Sequence, residues 1–196
     1  MTFNELLEEV YVLTNRRDLV AESKSAIKAA TLKAHNTDFY SKDIFETGVA
    51  FDTAEYRQAL DMYNLISNFR AVKYLRRVED EFDDVGKFIE VVTADEVLDS
   101  YSCNRADIAY VAGRVLEIRS SVTFSKCLFG AYVFPIVQEE NYSSWIADLH
   151  PFAIIYEAVR AIFITIGYQE QAVNFSRLVA EEYATLKMTG LTDVGY

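Results

Sequence analysis

The chain has 196 residues, 51% of them hydrophobic, with only two prolines and seven glycines. That composition excludes a disordered chain and leaves room for one domain with a sizeable core. Nineteen basic residues against thirty acidic ones give a formal charge of −11, which argues against a nucleic-acid binder or a ligand of anionic membranes.

Thr2 and Glu5 fit a capping box, and Phe3, Leu6, Leu7, Val10 and Leu13 form a helical stripe, which predicts a helix over 2–14. The segment MTFNELLEEVY lacks the basic region and apolar run of a signal peptide. After the turn Asn15-Arg16-Arg17, Asp18 is placed to cap a second helix over 18–35. Val20, Ile27, Ala30, Leu32 and Ala34 are among its apolar positions, and Lys24, Lys28 and Lys33 make its surface basic.

Beyond His35 the pattern changes to a β region over 39–134. Phe39, Tyr40, Ile44, Phe45, Val49 and Phe51 are strand formers, interrupted by Asp38, Asp43 and Gly48. Residues 56–62 suit a short helical turn. In 69–78, Val72, Tyr74 and Arg76 alternate with Ala71, Lys73, Leu75 and Arg77, as in a strand, with a helix as the rival reading. A polar turn over 79–86 leads to 87–92, a second strand, so the two form a long hairpin. Thr93 and Glu96 repeat the capping box ahead of a short helix over 93–100. Runs 108–112 and 115–119 meet across Gly113-Arg114, a tight turn, and a third run, 123–134, follows Ser120-Ser121. Residues 141–149 are a loop or short helix holding Trp145.

The segment FAIIYEAVRAIFITI is apolar nearly all round and lies between Pro151 and Gly167. It predicts a core helix over 150–167, with Glu157 and Arg160 paired on one face. It is shorter than a membrane span and carries charge. A helix over 168–188 follows, with Ala172, Phe175, Val179, Tyr183 and Leu186 on one stripe, and the two form an antiparallel hairpin. The fold class is therefore α+β, mainly α: a helix bundle with an antiparallel β region inserted between the N-terminal and C-terminal helix pairs. One domain over 1–189 carries an arm over 190–196, where Gly190 and Gly195 stop the helix and Leu191, Val194 and Tyr196 are apolar anchors.

No motif carries chemistry. His35 and His150 lack a second ligand at metal spacing and suit structural roles at helix ends. The acidic run Glu79-Asp80-Glu81-Phe82-Asp83-Asp84 departs from a calcium loop, since Gly86 comes too late and Lys87 follows it, and suits a solvated tip. Cys103 and Cys127 have neither metal spacing nor a local base, so a reducing cytosol is the default, and Cys127 suits a small buried hydrophobe. With no Walker loop, no G-x-G-x-x-G and no nucleophile elbow, no catalytic residue, cofactor or metal is predicted.

Several stretches together resemble the head-to-tail adaptor (connector) proteins of short-tailed bacteriophages. They are 4–19 (NELLEEVYVLTNRRDL), 30–48 (ATLKAHNTDFYSKDIFETG), 96–105 (EVLDSYSCNR), 110–120 (YVAGRVLEIRS), 142–154 (YSSWIADLHPFAI) and 186–196. The most individual are LKAH-x-x-DFY-x-KD and YSSWIA-x-x-HPFAI. The resemblance implies a mainly helical subunit with a β region and no catalytic residues. It implies a ring, typically of twelve, beneath the portal protein of the virion neck, with a tail or nozzle protein below. The subunit would be made in the host cytoplasm. By the same resemblance Leu191, Val194 and Tyr196 would bind the portal, and genomic DNA would pass through an acidic lumen without specific binding or membrane contact. A cytosolic regulatory or scaffolding protein, or an enzyme whose site assembles only in three dimensions, are the other classes open to this sequence.

Overall fold

A computed structural model describes residues 1–78, 87–98 and 105–192, with the side chains of Leu98 and of 190–192 left aside. Within these bounds the chain forms two compact units, Met1–Asp43 with Phe134–Tyr196, and Ile44–Val133.

The first unit is helical. Helix α1 (Phe3–Thr14) begins at the expected capping box: the Thr2 hydroxyl accepts from the Glu5 amide and the Glu5 carboxylate accepts from the Thr2 amide. It ends at Asn15 in the left-handed region. Helix α2 (Val20–His35) starts later than expected. Leu19 occupies the cap without a side-chain hydrogen bond, while Asp18 pairs with Arg16 at 2.7 Å. A 3-10 turn (Ser41–Asp43) ends this part. After the insertion come α5 (Trp145–Leu149), capped by the Ser144 hydroxyl, α6 (Pro151–Thr165) and α7 (Gln169–Thr192). α6 is the core helix its composition predicts, packed by α1, α2, α5 and α7. Ile154, Ile155, Ala158 and Val159 are fully buried on it. Each of the larger of these contributes ~1.5–3 kcal/mol of transfer free energy. Gly167 takes the left-handed turn at φ 82° that lets α7 pack back, with Phe175 against both Tyr156 and Phe163. α7 runs on through Gly190 to Thr192, so Gly190 does not stop the helix.

The second unit corrects the fold class. Strands β1 (Ile44–Asp61), β2 (Phe69–Val78), β3 (Lys87–Val92), β4 (Ile108–Ala112) and β5 (Val115–Val133) form one sheet in the order β1-β5-β2-β3-β4, and β4 also pairs with β5. The run β5-β2-β3-β4 therefore closes into a four-stranded barrel, with β1 added on the outside of β5. Nor is the region purely antiparallel, because β3 and β4 pair in parallel. A mainly helical bundle with an antiparallel insertion is thus not the architecture; the β region is a closed unit with its own core.

Two local readings change with it. Tyr56–Asp61 belong to β1, not to a helical turn, and the helix α3 (Met62–Leu65) follows them. Ser120-Ser121 do not break the chain into two strands, because β5 runs through them. The strands at 69–78 and 87–92 stand as expected, paired through Leu75 and Ile89, and Gly113 makes its turn at φ 65°. The helix α4 (Ala94–Leu98) starts where Thr93 donates its amide to Glu96. The acidic tip 79–86, Cys103, Val194 and Tyr196 lie outside the described residues.

The barrel interior holds Leu75, Ile89, Leu116, Ile118, Phe124, Cys127 and Phe129, together with Arg77 at 2% exposure. Arg77 donates to Asp107 at 2.8 Å and to the Ser120 hydroxyl, and Asp107 also accepts from the amide and hydroxyl of Ser121. On the outer face the Tyr74 ring lies across Gly130 and its hydroxyl reaches Glu46, while Arg76 sits 5.5 Å from the ring centroid. Only a residue without Cβ allows that approach.

Candidate functional site

The structure gathers polar side chains at one place in the helical unit. His35, the last residue of α2, is 1% exposed, Asp43 in the 3-10 turn 4%, and Ser144 at the cap of α5 5%. His35 Nδ1 lies 2.8 Å from Asp43 Oδ1, and His35 Nε2 lies 2.9 Å from Ser144 Oγ. A carboxylate only accepts, so Nδ1 carries the proton, and Nε2 pairs with the Ser144 hydroxyl. Trp145 Nε1 donates to the same Asp43 oxygen at 2.7 Å. Lys42 stands 5.1 Å from the centre of the Trp145 ring, and Tyr40 packs against it edge-on. A second bridge, Thr31 to Tyr142 at 2.8 Å, ties α2 to the segment before Ser144, and burial raises the Tyr142 hydroxyl above its ordinary pKa.

Ser, His and Asp in this order of contacts share the geometry of a hydrolytic triad. The surroundings differ from one. Ser144 Oγ also accepts the Ala147 amide at 3.3 Å as the cap of α5, so its acceptor face points into its own helix. With all three groups buried, a substrate carbonyl has no approach to the oxygen, and a nucleophile needs a reacting atom about 3 Å away. The arrangement joins the end of α2, the 3-10 turn and the start of α5 through hydrogen bonds between groups that are costly to bury unpaired.

The residues singled out in the sequence fall as follows. His35, at the end of α2, belongs to this network. His150 sits between α5 and α6, one residue before Pro151. Cys127 is 1% exposed in the barrel, and burial pushes its thiol up to about 12, which makes it inert as a nucleophile. Leu191 lies on the last turn of α7. No group of three metal-ligating side chains occurs among the described residues, and no described helix is long and apolar enough to cross a membrane.

The network was missed because His35 and Ser144 are 109 positions apart and Ser144 carries no motif. A signal existed: LKAH-x-x-DFY-x-KD and YSSWIA, the two most individual stretches of the resemblance, hold all four network residues.

Several other charged groups of the helical unit pair with one another. Burial pushes the Glu157 carboxyl up, but hydrogen bonds from Arg160 and Lys33 outweigh it and hold the group below its ordinary value. Lys24 and Lys28 both reach Glu139, so the basic surface of α2 is neutralised within the unit. A shallow hollow of about 470 Å³ between α2 and α6 is lined by small side chains such as Ala21, Ser25, Ala29 and Ala161. Glu22 is its only titratable group. Neither a known family model nor a curated protein matches this chain.

Proposed function

We propose that this chain is a structural subunit of a virion: a head-to-tail adaptor that forms a ring between the portal and the tail of a short-tailed bacteriophage. The observation that carries this reading is the amount of large apolar surface left in solvent on both units. Val173 and Met188 on α7 are each 68% exposed and Val12 on α1 is 66% exposed; Phe88 and Tyr56 in the β unit stand at 62% and 59%. Exposed aromatic and aliphatic side chains on this scale suit a protein that works by contact with neighbours.

The end-to-end resemblance supplies the kind of neighbour: further copies of this chain, typically twelve, with a portal protein above and a tail or nozzle protein below. The large β unit, Ile44–Val133, departs from the mainly helical pattern of such adaptors. The acidic balance suits a conduit through which DNA slides without specific binding. Leu191, Val194 and Tyr196 are assigned to portal contact through that resemblance, with α7 delivering Leu191 at the end of its helix.

A hydrolase has one observation in its favour, the spacing of Ser144, His35 and Asp43. The burial of all three groups weighs against that reading, and no catalytic residue, cofactor or metal is assigned. The test is to add the purified chain to tailless, portal-bearing heads and count the copies retained per head. About a dozen supports the adaptor reading; none retained overturns it.

A further inference from the structure

The β unit carries two strand edges that have no partner strand among the described residues, and they lie on opposite sides of one three-stranded section. β5 pairs with β1 along Ile44–Ala50 and with β2 along Phe69–Val78. β1 has no described strand on its far side, and β3 covers β2 only from Leu75 to Arg77, which leaves the stretch 69–74 with one strand neighbour. An edge strand presents a row of backbone donors and acceptors, and soluble proteins blunt such edges with proline, lysine, bulges or short length. β1 is 18 residues long and contains neither proline nor lysine. Its bulges lie between Ala50 and Arg57, so Ile44–Ala50 is a regular, seven-residue open edge with Phe45 half exposed.

We infer that this edge is an assembly surface whose occupant is the β2 edge of a second copy. Each copy then supplies the strand that its neighbour's β1 lacks, and the contact is heterologous, so repetition generates a ring where the rotation closes. The charges agree within the two open stretches: that of β1, Ile44–Ala50, carries Glu46 and no base, whereas that of β2, residues 69–74, carries Arg70 and Lys73 and no acid. The direction follows from the sheet. β1 and β2 both run antiparallel to β5 and are therefore parallel to each other. Between copies related by rotation without stagger, Phe45 comes level with Val72 of the next, since both face Ala131. The inference rests on the ring proposed above and names the surface that builds it.

Cysteine cross-linking tests it. Thr47→Cys and Val72→Cys are placed in separate chains that also carry Cys103→Ser; the buried Cys127 thiol stays protonated and unreactive. Each variant, and an equal mixture, is assembled on portal-bearing heads and in concentrated solution, then treated with a short bismaleimide. Cross-linked dimer in the mixture, and in neither variant alone, is the expected result. Dimer from Thr47→Cys alone shows two β1 edges paired about a two-fold axis and overturns the inference. A ring on the heads without any cross-link removes this surface but leaves the adaptor reading standing. A chain that is monomeric in both settings defeats both.

Discussion

Gly130→Ala puts a sign question to the β unit that the structure answers with numbers. An added Cβ would lie 2.5 Å from two atoms of the Tyr74 ring and 2.8 Å from a third, closer than real Cβ contacts allow. The ring must lift, and it then loses its hydroxyl contact to Glu46 and its position beneath Arg76. Overpacking of this kind costs about 1–3 kcal/mol. Against it, alanine is favoured over glycine within a strand by about 0.5–1 kcal/mol. The expected net is a loss centred at about 1 kcal/mol and reaching about 2.5 kcal/mol. Urea unfolding followed by circular dichroism measures it, while the fluorescence of Trp145 reports on the helical unit separately. In a Tyr74→Ala background the clash is gone, and the same glycine substitution becomes neutral or mildly stabilising. A Gly130→Ala chain as stable as the parent, or an equal loss with and without Tyr74, refutes the reasoning.

Ser144→Ala removes a helix cap and the hydrogen-bond partner of the buried His35 Nε2, an expected loss of about 1–3 kcal/mol in chemical denaturation. A serine-directed fluorophosphonate should not label the parent chain; labelling at Ser144 would show an accessible nucleophile. The Glu157 carboxyl is held below its ordinary 4.5 in the folded chain, so its contribution is complete above that value and is lost as pH falls through the lower folded one. Glu157→Gln should flatten the slope of stability against pH in that window, and an unchanged slope would discount the cluster. Asp107→Ala leaves Arg77 without its carboxylate inside the barrel; a fully buried broken pair costs about 3–5 kcal/mol, and the 41% exposure of Asp107 reduces the expectation to about 1–3. Deleting 190–196 should leave the fold intact, since Leu186 is the last fully buried residue of α7 among those described, and should weaken retention on portal-bearing heads. Each anchor gains ~1.5–3 kcal/mol on burial against ~1–2 per residue for ordering, so the loss should be larger in the assembled ring than in a one-to-one assay. Equal retention would mark the segment as an ordinary chain end.

The parts of the fold that rest on local chemistry were legible in the sequence. Thr2 with Glu5, the apolar girth of α6 between Pro151 and Gly167, and the alternation of 69–78 each name their element within a few residues. Barrel closure was not legible, because it depends on β4 and β2 meeting different halves of the same long strand. Arg77 shows the limit well. Alternation puts it on one face with Leu75, but only the distant Asp107 and Ser120 make that face an interior one for an arginine. Ser120 misled for the same reason: it reads as a break, and it is buried as Arg77's partner. In the helical unit, His35 was placed at the end of its helix in a structural role, but its partners were not legible, since Asp43 and Ser144 come to it only in three dimensions.

The central claim, a ring subunit at a head–tail junction, is tested most directly by cryo-electron microscopy of the particle that carries this chain. The account predicts a closed ring of many copies, typically twelve, directly beneath the portal, each with its helical unit and β barrel resolvable. One or two copies per particle, or a chain absent from the neck, would contradict it.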